Sequence, residues 1–336
     1  MLNDAFKGRR VLVTGANGFI GAWLISALAE QGADVTGFDL ADEGALSLHP
    51  GLRQAITLTL GKTTDQALLE RVLVERGIQK VYHLAANSNL GWARSNPEPV
   101  FESNIQGTWC LLEACRRKDD LESIVVASSN TVYGQHETRE PFDEDQAFNP
   151  THPYPASKAC ADIIARCYAA NFGLPIAVVR ATNTFGGADP NLKRIVPDTC
   201  LKLLRGERPV ILSDGSPEKG YLYVKDTVRA YLMLGARAAE DGIRGSAFNF
   251  HPPRPTTVLE LVKTIVKVSG RPDLEPEIRG KPGAYEYEFL SAERARHTLG
   301  WEPQFSLEAG LAETYAWYRE HSGAALETAA DRFVKV

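Results

Sequence analysis

Residues 11–21, VLVTGANGFIG, carry the pattern that decides the fold. A short apolar run leads into Gly15, Gly18 and Gly21, and a helical pattern follows to about Gln31. Glycines at this spacing allow a tight turn, a close approach of backbone to a pyrophosphate, and close packing of helix on strand. The alternative is a purely structural turn, because many helices begin with glycines. We predict a dinucleotide site lined by Gly15, Asn17, Gly18, Phe19, Ile20 and Gly21.

Asp39 closes the next strand-like run, 18 residues after Gly21. A carboxylate at this place can accept hydrogen bonds from the adenosine ribose hydroxyls, and it repels a 2′-phosphate, so NAD is favoured over NADP. The alternative is a solvated loop acid beside Asp42 and Glu43.

Short apolar runs continue to alternate with helical segments along the first half of the chain, with further strand candidates at residues 80–84, 123–127 and 176–179. This alternation predicts an α/β fold, a Rossmann-like doubly wound parallel sheet with a second, smaller substrate-binding lobe. The strand-like residues 221–224 and 247–250 are candidates for returning to the main sheet. We therefore divide the chain into a cofactor domain (1–184, with returning segments near 221–250), a substrate lobe (185–220 and 251–321) and a tail (322–336).

Composition narrows the cellular context. The chain has 336 residues, 44% of them hydrophobic, and a formal net charge of -5, which gives no reason to expect nucleic acid or an anionic membrane as partner. Its five cysteines include no CxxC pair, so we expect neither disulfides nor a bound metal. No run approaches the roughly 18 to 20 apolar residues of a spanning helix. We expect a cytoplasmic protein.

Tyr154 and Lys158 form a YxxxK motif at the start of a predicted helix. Residues four apart share a helix face. A phenol must become partly phenolate to remove a hydroxyl proton as hydride leaves, and a nearby ammonium lowers the phenol pKa. The spacing alone is weak evidence, because Tyr221 and Lys225 repeat it.

Ser129 gives the first of these motifs its context. It ends a predicted buried strand, 25 residues before Tyr154, and could hold a substrate hydroxyl while Tyr154 deprotonates it. Ser128 is the less favoured alternative. We predict Ser129, Tyr154 and Lys158 as the catalytic residues.

Seven motifs occur in one order along the chain: TGANGFIG, HLAA, NIQGT, SSNTVYG, YPASK, RATNTFGG and LGWEP. Together they resemble the extended short-chain dehydrogenases/reductases of the NAD-dependent epimerase/dehydratase family, over roughly residues 8–321. The resemblance implies NAD as cofactor and a nucleotide-diphosphate sugar as substrate. It implies NAD contacts from the glycine turn and from Asp39, Leu84, Ala85, Ala86, Asn104, Tyr154 and Lys158. It implies substrate contacts from Asn130, Thr131, Asn183, Val196, Lys219 and Lys281.

The resemblance also implies two structural roles. Asn104 would brace the active-site strand, although a lone Asn is often a local backbone cap. Relatives form homodimers through two helices, here near residues 100–115 and 154–170, whose apolar stripes are equally well explained by core packing.

The residues after Ser129 bear on the reaction. Sugar-nucleotide 4,6-dehydratases need a further acid and base, and relatives of that kind carry acidic residues where this chain has Asn130 and Thr131. We therefore favour an epimerase with redox chemistry at one carbon, C4. The stretch EYEFLSAERARHTLGWEP nevertheless resembles CDP-glucose 4,6-dehydratases, and Glu140 or Glu144 could replace the missing base. A non-catalytic NAD-sensing protein on the same fold is a further alternative.

Three lysines depart from the family pattern. Lys219 and Lys281, before Pro282-Gly283, stand where many relatives carry Arg, so the charge is kept but bidentate geometry is lost. Lys62 stands where relatives often place an Asp that accepts from the adenine amino group, which an ammonium cannot do.

Overall fold

The computed structural model describes residues 4–49, 51–118, 120–135, 139–281, 287–323 and 326. Among these residues, no helix has the length and apolar character required to cross a membrane. The predicted tail falls almost wholly outside the described residues, as do Pro282 and Gly283.

A seven-stranded sheet forms the centre of the molecule, and every neighbouring pair in it is parallel. Its strand order is β11-β6-β5-β4-β1-β2-β3. The strands of the described chain are β1 (Arg10–Thr14), β2 (Asp34–Asp39), β3 (Thr57–Leu60), β4 (Lys80–His83), β5 (Ser123–Ala127), β6 (Ile176–Ala181), β7 (Asn183–Phe185), β8 (Val210–Ile211), β9 (Glu218–Lys219), β10 (Tyr221–Tyr223), β11 (Ala247–Phe250), β12 (Thr256–Thr257) and β13 (Glu277–Ile278).

Helices cover both faces of this sheet, and two apolar clusters fill the space between. The α-helices of the described chain are α1 (Phe19–Glu30), α2 (Leu52–Ala55), α3 (Gln66–Glu75), α4 (Leu90–Ser95), α5 (Pro97–Phe101), α6 (Gly107–Arg117), α7 (Pro153–Phe172), α8 (Ile195–Leu204), α9 (Val224–Arg237), α10 (Val258–Ser269), α11 (Glu293–Leu299) and α12 (Leu307–His321). The predicted Rossmann-like sheet is confirmed.

The second lobe is built from short strands in pairs. β12 pairs antiparallel with β9, and β13 pairs parallel with β8. Of the two segments predicted to return to the main sheet, β11 does so beside β6. The prediction for residues 221–224 was wrong, because Tyr221–Tyr223 pairs with β7 in a separate two-stranded sheet. Thr182 separates β7 from β6. Its hydroxyl donates to the Gly220 carbonyl, directly before β10, at 3.1 Å, and this bond holds β7 and β10 together.

One predicted helix is interrupted. Residues 97–117 form α5, then a π-helical turn at Glu102–Gln106, then α6. Single π turns within α-helices are rare and occur often at functional sites. The turn carries Asn104, one of the predicted site residues.

The topology places the predicted site residues on one edge of the sheet. Because all seven strands run parallel, the segments that follow β1, β2, β4 and β5 emerge at the same carboxyl edge. The strand order changes direction between β1 and β4, and ligands of open α/β sheets bind at such a switch point.

Candidate active site

The glycine turn after β1 brings three backbone segments together. Gly15 has a φ of +73°, and a Cβ on it would lie 2.7 Å from the Ala85 amide nitrogen. A Cβ on Gly21 would lie 2.1 Å from the Gly15 carbonyl oxygen. Larger residues would therefore push the turn away from both β4 and α1.

The N-terminus of α1 lies in the same turn. Gly18 is its N-cap residue, and no side chain caps its first amides. Uncapped amide groups at the positive end of a helix dipole can bind a phosphate. Phe19 and Ile20 form the first turn of this helix.

Asp39 ends β2 against this turn. Its Oδ2 accepts from the Asn17 amide at 2.8 Å and its Oδ1 accepts from the Leu40 amide at 2.8 Å. Burial raises the pKa of the carboxyl, and these backbone hydrogen bonds oppose the rise. A carboxylate has about four lone-pair positions, and the backbone amides of Asn17, Leu40 and Ala41 occupy three, so acceptor capacity remains for a ribose hydroxyl.

The residues present fit a dinucleotide. Within the described ranges, Asn17 Oδ1 and Ser128 Oγ are buried without a hydrogen-bond partner, which is unusual for buried polar atoms. Both lie at the carboxyl edge of the sheet, where Leu84 and Ala85 pack against Gly15. The glycine turn leaves no room for other side chains. Asp39 lies where its carboxylate could accept from the adenosine ribose of a dinucleotide.

Ser129 and Tyr154 lie together, as predicted. Ser129 follows β5 and caps a short 3₁₀ helix, Asn130–Tyr133, by accepting from the Thr131 amide at 3.2 Å. Its hydroxyl also lies 2.9 Å from Thr131 Oγ1 and acts to lower the pKa of Tyr154. Tyr154 stands in the first turn of α7, which begins at Pro153.

The electrostatics of the pair on α7 differ from the expectation. Burial raises the pKa of Tyr154, while Arg194 and the hydrogen bond from Ser129 oppose the rise. Burial lowers the pKa of Lys158 to about 8, and Asp162 opposes that change. Removal from water outweighs the charge effects on the phenol, because burial penalises the phenolate.

Asn104 braces a loop and a helix. Its Oδ1 accepts from the Asn87 amide at 2.7 Å, and its Nδ2 donates to the Asn87 carbonyl at 3.1 Å and to Ser157 Oγ at 2.9 Å. Ser157 in turn donates to the Tyr154 carbonyl at 2.7 Å. We expected Asn104 to brace the strand of Ser129, but its side chain instead connects the segment after β4 with α7.

Three predicted substrate contacts meet at Glu288, a residue that the sequence analysis missed. Its Oε2 accepts from Asn130 Nδ2 at 3.2 Å and from Asn183 Nδ2 at 3.3 Å, and its Oε1 lies 3.3 Å from Lys219 Nζ. The only sequence signal was its position in the run EYEF, next to residues that resemble dehydratases. No local pattern connects it with Asn130, 158 positions earlier.

Arg194 is a second missed residue. It precedes α8, its Nη1 lies 3.1 Å from Asp189 Oδ2, and its charge acts on Tyr154. Ala188, next to Asp189, has a φ of +61°, a strained conformation for a residue with a Cβ. Strained backbone is concentrated at functional sites. Because its charge acts on Tyr154, Arg194 joins the candidate site.

Other predicted positions lie apart from this cluster. Val196 is buried in the main apolar core. Lys281 is exposed. Lys62 is exposed and lies 4.0 Å from Glu102.

Glu144 was a wrong candidate for a replacement base. It is buried, its Oε1 accepts from the Asn249 amide at 2.8 Å, and its Oε2 lies 3.6 Å from Arg294. These bonds hold the carboxylate in a structural network with β11. Glu140, the other candidate, is exposed.

The fold and this site define a Rossmann-type enzyme with a serine, tyrosine and lysine at the cofactor edge. A sequence model described as the NAD dependent epimerase/dehydratase family matches residues 11–249. The chain belongs to the NAD-dependent epimerase/dehydratase family. The predicted family, and NAD as the cofactor of its members, are confirmed.

Similar proteins include both kinds of enzyme. The chain is 32% identical over 319 residues to a UDP-glucose 4-epimerase of Mycolicibacterium smegmatis, with 93% of this chain and 99% of that protein covered. It is 30% identical over 317 residues to a dTDP-glucose 4,6-dehydratase of the same organism, with 92% and 93% covered. A crystal structure of UDP-glucose 4-epimerase from Thermotoga maritima with UDP-glucose has a TM-score of 0.83 at 28% identity, covering 94% of this chain and 100% of that chain. The family is therefore certain, and the reaction needs a separate argument.

Proposed function

We propose that the chain is an NAD-dependent sugar-nucleotide epimerase that transfers hydride at one sugar carbon, C4. The observation that carries this proposal is the position of Ser129 after β5, where it acts to lower the pKa of Tyr154 and is followed directly by the uncharged Asn130 and Thr131. An epimerase needs one acid/base group at the reacting carbon, which Tyr154 supplies. An elimination needs an additional acid and base.

In the proposed reaction, Ser129 and Tyr154 hold the C4 hydroxyl of the sugar. NAD, when bound, supplies the acceptor and later the donor of the hydride. Tyr154, as phenolate, takes the hydroxyl proton while the C4 hydrogen leaves, and a ketone results. The ketone turns its other face to the cofactor edge, and Tyr154 returns the proton as the hydride returns. Ser129 and Arg194 favour the phenolate against the effect of burial.

A 4,6-dehydratase is the second candidate, and Glu288 favours it. Its carboxylate is one hydrogen bond from Asn130, which stands where dehydratases carry an acid. After oxidation at C4, Glu288 would take the C5 proton and give it to the C6 oxygen, which leaves as water when the C6–O bond breaks. The hydride would then return to C6, and a proton from solvent would be added at C5. The two candidates differ in whether C5 exchanges with solvent.

Isotope labelling in deuterated water separates the two. With UDP-, dTDP- or CDP-glucose we expect a 4-epimer without deuterium at C5 or C6. Deuterium at C5 of a 4-keto-6-deoxy product would establish the dehydratase instead, because the C4 hydride returns to C6 and the C5 proton comes from solvent. Tyr154→Phe should bind NAD and give no product under either candidate, whereas an unchanged cellular role for that variant would favour the NAD-sensing alternative.

Glu288→Gln adds a second measurement. An epimerase should retain its kcat within about threefold, because the base is Tyr154, whereas a dehydratase that uses Glu288 should lose about 10² or more of its kcat. Glu313→Gln is the matched control, since Glu313 also pairs with a lysine, Lys225, at 2.6 Å, and lies on α12.

The proposed substrate is a nucleotide-diphosphate sugar. Lys219 and Arg194 provide cationic groups beside the cleft, and a guanidinium can bind a diphosphate with two parallel hydrogen bonds. Lys219 pairs with Glu288 and Arg194 pairs with Asp189, but a guanidinium has five N–H donors and keeps some of them for a diphosphate, so Arg194 is the stronger of the two candidates.

We also propose a homodimer. Phe101, Trp109, Ile163 and Phe172 are between 38% and 54% exposed on α5, α6 and α7, which pack together. Other members of the predicted stripe, such as Val100, Leu112 and Cys115, are fully buried in this chain. The exposed set supports a second copy as the covering surface.

A further inference from the structure

A buried chain of hydrogen bonds runs beneath the cofactor edge from β1 to the π turn. His83 Nδ1 lies 2.8 Å from Thr14 Oγ1, and His83 Nε2 lies 3.0 Å from Thr108 Oγ1. Thr108 donates to the Asn104 carbonyl at 2.6 Å, and Thr14 Oγ1 accepts from the Ala85 amide at 3.3 Å. The four side chains in this path are each at most 3% exposed.

The donors and acceptors in this chain of hydrogen bonds follow one consistent direction. A hydroxyl has one hydrogen, and that of Thr108 goes to the Asn104 carbonyl, so Thr108 accepts from His83 Nε2–H. His83 Nδ1 then offers a lone pair to the Thr14 hydroxyl, which itself accepts from Ala85. A neutral imidazole in this arrangement carries its hydrogen on Nε2.

The surroundings keep His83 neutral. Burial, and then the charge of Lys158, lower the pKa of His83 to about 3. An imidazolium would add a second cation close to Lys158 in a region without water. The group therefore serves as a fixed donor and acceptor across the physiological pH range.

Both ends of this chain of hydrogen bonds reach the candidate active site. Thr14 directly precedes Gly15 of the cofactor turn. At the other end, the Asn104 side chain holds Asn87 and, through Ser157, the helix turn between Tyr154 and Lys158.

We propose that His83 is a positioning residue that, through Thr108 and Asn104, sets the position of the Tyr154–Lys158 turn relative to the cofactor turn after Thr14. The inference rests on the proposed function, because it gives the position of Tyr154 a consequence for rate. A histidine that merely satisfies buried hydroxyls would have the same neighbours and no influence on hydride transfer.

Thr108→Val tests the link, since it removes the hydroxyl and keeps the shape. We expect kcat to fall about tenfold with the KM for the sugar nucleotide within about twofold, because a small displacement of Tyr154 affects the chemical step more than binding. Thr108→Ser should restore kcat. Thr314→Val is the matched control, because Thr314 is 1% exposed and donates to the Gly310 carbonyl at 2.7 Å, the same bond to the fourth preceding residue in α12.

Two measurements need no substrate. Hydrogen exchange should show the Asn87 amide protected in the wild type, Thr108→Ser and Thr314→Val, and unprotected in Thr108→Val. Nitrogen-15 spectra should show His83 as the Nε2–H form, unchanged between pH 5.5 and 9.

The outcomes separate this inference from the proposed function. If Thr108→Val matches Thr314→Val in kcat and in Asn87 protection, or if His83 titrates in that range, the positioning role is overturned. If the wild type converts no sugar nucleotide, the proposed function fails, and the Asn87 and His83 measurements still decide whether the linkage exists.

Discussion

At the scale of single residues, the site is made of ionisable groups removed from water. Burial raises the pKa of Tyr154 and lowers that of Lys158, so each group is displaced toward its neutral form. Such displaced titrations are concentrated at functional sites. The displaced pKa of Lys158 also has a cost in stability at pH 7, because its ammonium is held where burial disfavours the charge.

Lys158→Met should therefore make the protein more stable at pH 7. The pKa of Lys158 is about 8 in the folded protein and 10.5 as its ordinary value. The unfolded state binds more protons between these values, so the penalty is full below pH 8 and disappears as pH rises toward 10.5. At pH 7 the gain should be on the order of 3 kcal/mol in the free energy of unfolding.

Denaturant unfolding at pH 7 and at pH 10 measures this difference. Lys267→Met is the control, since the Lys267 side chain is 68% exposed and should show little change at either pH. A Lys158→Met variant that is less stable than the wild type at pH 7 would show that packing or the attraction to Asp162 outweighs burial.

At the scale of elements, the cofactor groove is the product of parallel strands that end side by side. β1 supplies the glycine turn, β2 supplies Asp39, and the segment after β4 closes against Gly15. α1 begins without a side-chain cap, so its first amides remain available to a phosphate.

Asp39→Asn should weaken NADH binding by about tenfold, because hydrogen bonds to a charged acceptor are stronger than those to an amide. It should also narrow the preference for NADH over NADPH, since the repulsion of a 2′-phosphate is removed. Fluorescence titrations give both dissociation constants. Asp42→Asn is the control, because Asp42 is exposed and pairs with Arg53 at 2.8 Å. Equal effects of the two variants on the dissociation constants would show that Asp39 is an ordinary loop acid.

At the scale of the whole molecule, α5, α6 and α7 each have two apolar faces. One face packs on the sheet and on neighbouring helices, where Val100, Leu112 and Cys115 are fully buried. The other presents Phe101, Trp109 and Ile163 to solvent. A sequence stripe cannot distinguish these faces, because both follow the helical period.

Ile163→Asp should convert the proposed homodimer into a monomer at micromolar concentration. Ile163 is 54% exposed in one chain, so the monomer tolerates the charge, whereas a dimer would bury it without a partner. Sedimentation or size exclusion measures the change. Val74→Asp is the control, because Val74 is 69% exposed on α3. A wild-type protein that is already monomeric at this concentration would contradict the proposal.

Sequence alone determined the sheet and the glycine turn, and it predicted Ser129, Tyr154 and Lys158 as the catalytic residues. These features depend on neighbours within one strand or a few helical turns, and local periodicity and glycine spacing record such neighbours directly. Even there, the π turn at Glu102–Gln106 and the separate pairing of Tyr221–Tyr223 were missed, since packing between distant segments decides both.

Only the tertiary structure decided what surrounds the predicted catalytic residues. Glu288 reaches Asn130 across 158 positions, Arg194 acts on Tyr154, and His83 connects with Thr108 from a different element. The physical reason is that such contacts depend on how separate elements pack, and the energy of each contact is too small to leave a pattern in the residues beside it.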